Sequence, residues 1–347
     1  MKIKIKKYNL ELKNRFTISN YSRTFTPSVL IKLIYENFVG FGEATLPQYL
    51  PETQETVIDF LQTIDLSQIS PLKIEESVAY LFDLNEKFDV KNNSAIAAVD
   101  IALHDLAGKL KALPISEMFK INTIAKPTSF TIGLGNENDM KRKILTAEDF
   151  TYLKIKIGTE KDREVISNIR RFTDKPLFVD ANSGWNDKSY AAEMADFLYE
   201  NNVLLIEQPF PIDKIEETFY LKEKSRIPII ADESIKNLAD LQQFGNAFSG
   251  INIKLMKSGG LLNALKMINY AKEKKLKIMI GCMTETSCGI SAAAQIMSEC
   301  DFVDLDGNLL INNDPFVGVE TRSGLIKLNK LFGLGIELKD EYADFFK

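Results

Sequence analysis

The chain has 347 residues and 39.2 kDa, with 45% hydrophobic and 26% charged residues, which is too long for one simple domain and shows no bias toward disorder. A net charge of -5 argues against the basic face that nucleic acid or an anionic membrane requires. The alternation from Met1 to Tyr8 is that of a strand and not of a signal peptide, and no apolar run approaches the roughly 20 residues of a membrane span, so a cytoplasmic protein acting on a small molecule is expected.

In chain order, strand-like alternation covers Lys2 to Leu12, Ser28 to Glu36 and Asn37 to Glu43, with a tight turn at Gly40-Phe41-Gly42. Helical patterns follow at Glu52 to Thr63, Ile74 to Asn85 and Asn93 to Lys109. The single histidine, His104, falls in the last of these at a position expected on the helix surface or core edge. Histidine is thereby set aside as an acid or base, leaving Lys, Asp, Glu, Tyr or Cys, and any metal must sit among oxygens. Cys282, Cys288 and Cys300 lack metal-type spacing and read as small buried hydrophobes in a reducing compartment.

Beyond this α+β unit, short apolar runs alternate with amphipathic helices: Ser129 to Ile132, Tyr152 to Ile157, Leu177 to Asp180, Leu204 to Glu207, Ile227 to Asp232, Gly250 to Leu255, Ile278 to Gly281 and Phe302 to Leu305. Eight such runs, each about 25 residues from the next, predict a closed (β/α)8 TIM-type barrel. An open doubly wound sheet would announce a Gly-rich phosphate turn, and Ile132-Gly133-Leu134-Gly135 lacks the rest of that pattern. The residues after about 318 read as a strand-rich tail able to return to the first unit.

Most runs end in a charged residue, and in a parallel barrel all strand C-termini open on one face. Asp180, Glu207 and Asp232 end the third, fourth and fifth runs. Three carboxylates on adjacent strands repel unless a cation lies between them, and a hard divalent ion suits them: Mg²⁺, with Mn²⁺ as substitute. Lys154 and Lys156 alternate on the second run and so point the same way, where mutual repulsion is expected to lower the pKa of at least one. Lys254 ends the sixth run, across the barrel. A substrate carboxylate between two amines can lose its α-proton to one face and regain it from the other. A glycosidase-type carboxylate pair and a Schiff-base lyase are the rivals from other classes.

The segment Thr151-Tyr152-Leu153-Lys154-Ile155-Lys156-Ile157-Gly158 resembles the KxK strand of the muconate-lactonising subgroup of the enolase superfamily. The resemblance implies a capping α+β domain at 1–118, the barrel at 119–318 and a tail at 319–347 returning to the cap. It implies Asp180, Glu207 and Asp232 as Mg²⁺ ligands, Lys156 and Lys254 as acid/base residues, and Lys154 as a supporting cation. Ile251 to Gly260 and Asp304-Leu305-Asp306-Gly307 resemble the dipeptide epimerases, which implies that Asp304 and Asp306 bind the ammonium group of an L-Ala-Xaa dipeptide. Two carboxylates at the mouth also suit a cationic substrate end on physical grounds.

The specificity loop is placed at about 15–27, with Arg23 and Tyr21 toward the side chain of the second residue, which stays open between Glu, small and hydrophobic. Thr131 and Met283 complete the expected substrate-binding set. The alternatives within the superfamily are o-succinylbenzoate synthase, N-acylamino acid racemase and cycloisomerase, whose substrates lack the ammonium group. Association into a homo-oligomer is left open.

Overall fold

The computed structural model describes residues 1–17, 22–133, 135 and 137–347. Three antiparallel strands open the chain in the order β1 (Lys2–Thr17), β2 (Ser22–Tyr35) and β3 (Phe38–Thr45). The hairpin between β2 and β3 turns at Glu36 and Asn37, with Glu36 at φ +52°, and not at Gly40-Phe41-Gly42 as the composition suggested. Gly40 and Gly42 lie inside β3, opposite Leu33 and Ile31. Their role is close approach: a Cβ on Gly42 would lie 1.9 Å from the Ala98 carbonyl oxygen, and one on Gly40 2.2 Å from that of Ala102.

Three helices cover this sheet, α1 (Gln54–Thr63), α2 (Ile74–Asn85) and α3 (Asn93–Lys111). Thr53 and Thr56 cap α1 reciprocally, side chain to backbone, which satisfies amides that a helix start leaves open. Helix α3 is buried from Ser94 to Gly108, so His104 lies in the core and not at its edge. Its Nδ1 is 2.9 Å from the Asp100 carbonyl oxygen.

A short strand β4 (Lys126–Pro127) precedes the barrel. The barrel strands are β5 (Ser129–Ile132), β6 (Tyr152–Lys156), β7 (Leu177–Asp180), β8 (Val203–Glu207), β9 (Ile229–Ala231), β10 (Gly250–Ile253), β11 (Lys277–Gly281) and β12 (Phe302–Asp304). They form one parallel sheet in sequential order from β5 to β12, the arrangement that right-handed βα crossovers produce. Asp232 and Lys254 fall just past their strands rather than within them. Where β12 meets β5, side chains bridge the two edges. The Thr128 hydroxyl accepts from the Leu305 amide at 2.8 Å, Asp306 accepts from the Thr131 amide at 2.6 Å, and the Ser129 hydroxyl donates to Asp304 at 2.5 Å.

After the barrel come β13 (Phe316–Val317), β14 (Glu320–Arg322), β15 (Leu325–Lys327) and β16 (Glu337–Leu338). β13 pairs with β16, and the β14–β15 hairpin pairs with β4. The last residues reach the first sheet, where the Phe345 ring packs on Tyr8 at 5.0 Å and Phe346 on Phe41 at 5.8 Å.

Carboxylates of the N-terminal unit terminate barrel backbone. Asp100 accepts from the Leu261 amide at 2.5 Å, and Glu43 accepts from the amides of Thr286 and Gly289 at 2.9 and 3.0 Å. Both acids thus serve helix N-termini, where backbone donors lack intrahelical partners. No helix among the described residues is long and apolar enough to cross a membrane. Gly42→Ala is expected to lower the free energy of unfolding by about 1–3 kcal/mol, the usual cost of overpacking, as read by urea denaturation. An unchanged midpoint would mean that α3 can retreat.

Candidate active site

Strand register brings the charged residues together. Lys156 pairs with Asp180, Asp180 with Glu207, and Glu207 with Ile230. Asp232 lies two residues after Ile230, so it shares that face. The carboxylates of Asp180, Glu207 and Asp232 are buried, and their nearest oxygens all lie within 4.8 Å of one another. A buried set of hard oxygen donors at this spacing can hold a metal ion.

Ammonium groups surround the triad. Lys156 reaches Asp180 at 2.6 Å, and Lys254 reaches Asp232 at 2.6 Å. The strands that carry them, β6 and β10, stand four positions apart in the sheet, so the two amines face each other across the barrel. Lys154 lies 2.7 Å from Glu207, 2.8 Å from Asp304 and 3.4 Å from Asp180.

Like charge is expected to lower at least one of Lys154 and Lys156; Lys154 is shifted the other way, as is Lys254. Burial acts to lower both, but the carboxylates outweigh it: Asp304, Glu207 and Asp180 hold Lys154 well above the usual lysine range, and Asp232 does the same for Lys254. For the acids, burial works upward. It carries Glu207 to about 7, with help from Asp180. At Asp232 burial is overcome by Lys254, Lys257 and Lys154, which hold the group well below its ordinary value.

Asp232 and the three amines line a cleft of about 560 Å³, open to solvent, that also takes in Arg23, Thr131, Met283, Asp304 and Asp306. Arg23 donates to the Thr284 hydroxyl at 2.9 Å, tying the N-terminal unit to the loop after β11. Tyr21, Arg23's expected companion, lies outside the described residues. Asp306 is buried; burial first, and Asp304 second, push its carboxyl up to about 7.

Other residues were not singled out from sequence. Tyr49 and Pro47 bring the N-terminal unit over the cleft, and Asn182, Cys282, Thr284 and Leu310 complete its wall. Cys282 is therefore only half-buried, unlike Cys288 and Cys300. Behind the triad, Asn252 donates to Glu207 at 2.8 Å. The Lys257 ammonium donates to the Asp232 carboxylate at 2.5 Å and to its carbonyl oxygen at 2.6 Å. A signal for both existed: Asn252 alternates with Lys254 along the strand, and a cation one turn after Lys254 returns to the same side.

A barrel whose strand ends carry this triad between opposed lysines, under an α+β cap, defines a class. Residues 1–119 match the mandelate racemase / muconate lactonizing enzyme N-terminal domain, and residues 139–343 match the enolase C-terminal domain-like family. The chain belongs to the enolase superfamily and is an isomerase. More particularly, it is 44% identical to the L-Ala-D/L-Glu epimerase of Bacteroides thetaiotaomicron over 339 residues, covering 97% of this chain and 88% of that protein.

Two solved structures superpose with a TM-score of 0.90, each covering 99% of this chain and 97% of its own. One is the N-succinyl Arg/Lys racemase from Bacillus cereus, at 25% identity. The other is the dipeptide epimerase from Cytophaga hutchinsonii complexed with Mg and D-Ala-L-Val, at 26%. Backbone alone therefore does not separate acyl-amino acid from dipeptide chemistry; side chains must.

The raised carboxyl of Asp306 has a consequence for stability. Between its ordinary value of 3.8 and about 7, the folded chain binds more protons at this site than the unfolded chain. Its contribution to stability therefore falls as pH rises through that window. Asp306→Asn keeps an acceptor for Thr131 and removes the buried charge. It is expected to melt no lower than the parent at pH 4 and to be more stable by about 4 kcal/mol at pH 8, as measured by denaturation at both values. Equal stability at pH 8 would show that Asp306 carries no buried charge.

Proposed function

We propose that the chain is a dipeptide epimerase acting on L-Ala-Xaa dipeptides at the α-carbon of the second residue. In this reading residues 1–118 cap the barrel of 119–318, and 319–347 complete the cap. The observation that carries it is the placement of Asp304 and Asp306 on the same cleft as the three lysines and Asp232 of the acidic triad. A buried carboxylate pair matches a substrate whose amino end is cationic, and an N-acylated amino acid carries no charge on that nitrogen.

Asp180, Glu207 and Asp232 would hold Mg²⁺, with Mn²⁺ as a substitute. When bound, the ion supplies positive charge where a carboxylate losing its α-proton accumulates negative charge. The chain's own residues do the rest. Lys156 takes or returns the proton on one face of the α-carbon and Lys254 on the other. Lys154 adds fixed positive charge beside the reacting carboxylate. Asp304 and Asp306 form the acidic end that meets the amino group, Thr131 holds Asp306, and Arg23 and Met283 meet the side chain of the second residue. Tyr49 and Pro47 limit water above the reacting carbon.

The test is deuterium uptake from heavy water into a set of L-Ala-L-Xaa dipeptides, with Mg²⁺ or with a chelator, read by mass spectrometry. Mg²⁺-dependent exchange at the second residue is expected. Lys156→Ala and Lys254→Ala are each expected to lose epimerisation by about 10²–10⁴-fold, the range for a general acid or base, while exchange of one stereoisomer survives in each. Exchange confined to N-acylamino acids would overturn the substrate assignment, and normal epimerisation by both lysine variants would overturn the two-base assignment.

A further inference from the structure

Asp304 and Asp306 differ in what already occupies them. Both oxygens of Asp304 are engaged: the Ser129 hydroxyl donates to Oδ1 at 2.5 Å and the Lys154 ammonium to Oδ2 at 2.8 Å. The side-chain hydrogen bonds described for Asp306 come from Thr131, whose amide reaches Oδ2 at 2.6 Å. The two aspartates sit two residues apart at one strand end and both line the cleft, yet Asp304 is bonded to an ammonium group whereas the side-chain bonds described for Asp306 come from Thr131.

Lys154 is 2% exposed, and it leans on Glu207 at 2.7 Å and Asp180 at 3.4 Å as well as on Asp304. Two of these three acids belong to the triad that can hold a metal ion. A divalent cation there would draw on the same two carboxylates as Lys154 and would repel it. A buried ammonium without a counter-charge is costly. Among the described residues, Asp304 is the one carboxylate paired with Lys154 that lies outside the triad.

We propose that Asp304 is a positioning residue, which retains Lys154 when the triad takes its divalent cation, and that Asp306 is the member of the pair that receives the substrate's ammonium group. The second half rests on the dipeptide epimerase reading; the first does not. Loss of Asp304 sends Lys154 wholly onto Glu207 and Asp180, where it opposes the metal. Loss of Asp306 leaves that balance intact and removes a contact to substrate.

The experiment is calorimetric titration of the full chain with Mg²⁺ alone, together with kcat and KM for the dipeptide that exchanges fastest. Asp304→Asn is expected to weaken Mg²⁺ binding by about 10–100-fold, the range for removing a partner behind a metal site. Asp306→Asn is expected to leave Mg²⁺ binding within about threefold and to raise KM for the dipeptide about tenfold or more, with kcat nearly unchanged. In a Lys154→Met background, Asp304→Asn should add less than about threefold to the Mg²⁺ dissociation constant, because the two residues act as one unit.

Two results overturn the proposal: equal effects of the two aspartate variants on KM with Mg²⁺ binding untouched, or a full Asp304→Asn effect on Mg²⁺ that persists without Lys154. If no dipeptide exchanges even in the parent, the epimerase reading fails while the Mg²⁺ titrations still decide the role of Asp304.

Discussion

Buried charge that must be neutralised in place is the constraint on which this molecule turns. Lys154, Lys254 and Lys257 and the acids Asp180, Glu207, Asp232, Asp304 and Asp306 are all nearly inaccessible to water. None of them could be held there alone, since an isolated buried ion costs several kcal/mol even after relaxation. Together they form an alternating network, and the network exists only because parallel strands in matched register bring Lys156, Asp180 and Glu207 side by side. A barrel can do this where a flexible loop cannot, because each strand end is fixed by hydrogen bonds on both sides.

The cap takes part in that rigidity. Asp100 and Glu43 spend their carboxylates on the starts of barrel helices, and the glycines of β3 let α3 come within backbone contact. This leaves Arg23 and Tyr49 at the rim of the cleft, from a unit that cannot drift relative to the barrel without exposing buried acids. The charged end of the cleft and its rim at Arg23 and Tyr49 therefore rest on one solid core.

Much of this was legible in the sequence for a physical reason. Charges that close β-branched runs at a steady interval are what a parallel barrel with a polar mouth requires. The eight strands and the triad at Asp180, Glu207 and Asp232 could therefore be located, with boundaries within about two residues. The helix spanning Ile74–Asn85 was readable because its apolar period ends cleanly. What escaped was everything decided by distant partners. Gly40 and Gly42 look like a turn until α3 is known to lie on them. Asp304 looks like the twin of Asp306 until Lys154, 150 residues earlier in the chain, is seen to hold it. The direction of the lysine shifts escaped as well, because counting only ammonium groups on one strand ignores the carboxylates contributed by its neighbours.

The meeting of β12 with β5 gives these aspartates a second significance. The barrel's last joint is made by Ser129 with Asp304 and by Thr131 with Asp306, so the groups that would read the substrate's amino end also fasten the first strand to the last. A lineage that gave up those acids to accept a different substrate would leave the Thr128–Leu305 hydrogen bond to hold that joint in the same step. Those acids are thus protected by architecture from gradual change, whereas Arg23 at the rim takes no part in these hydrogen bonds and can change one substitution at a time.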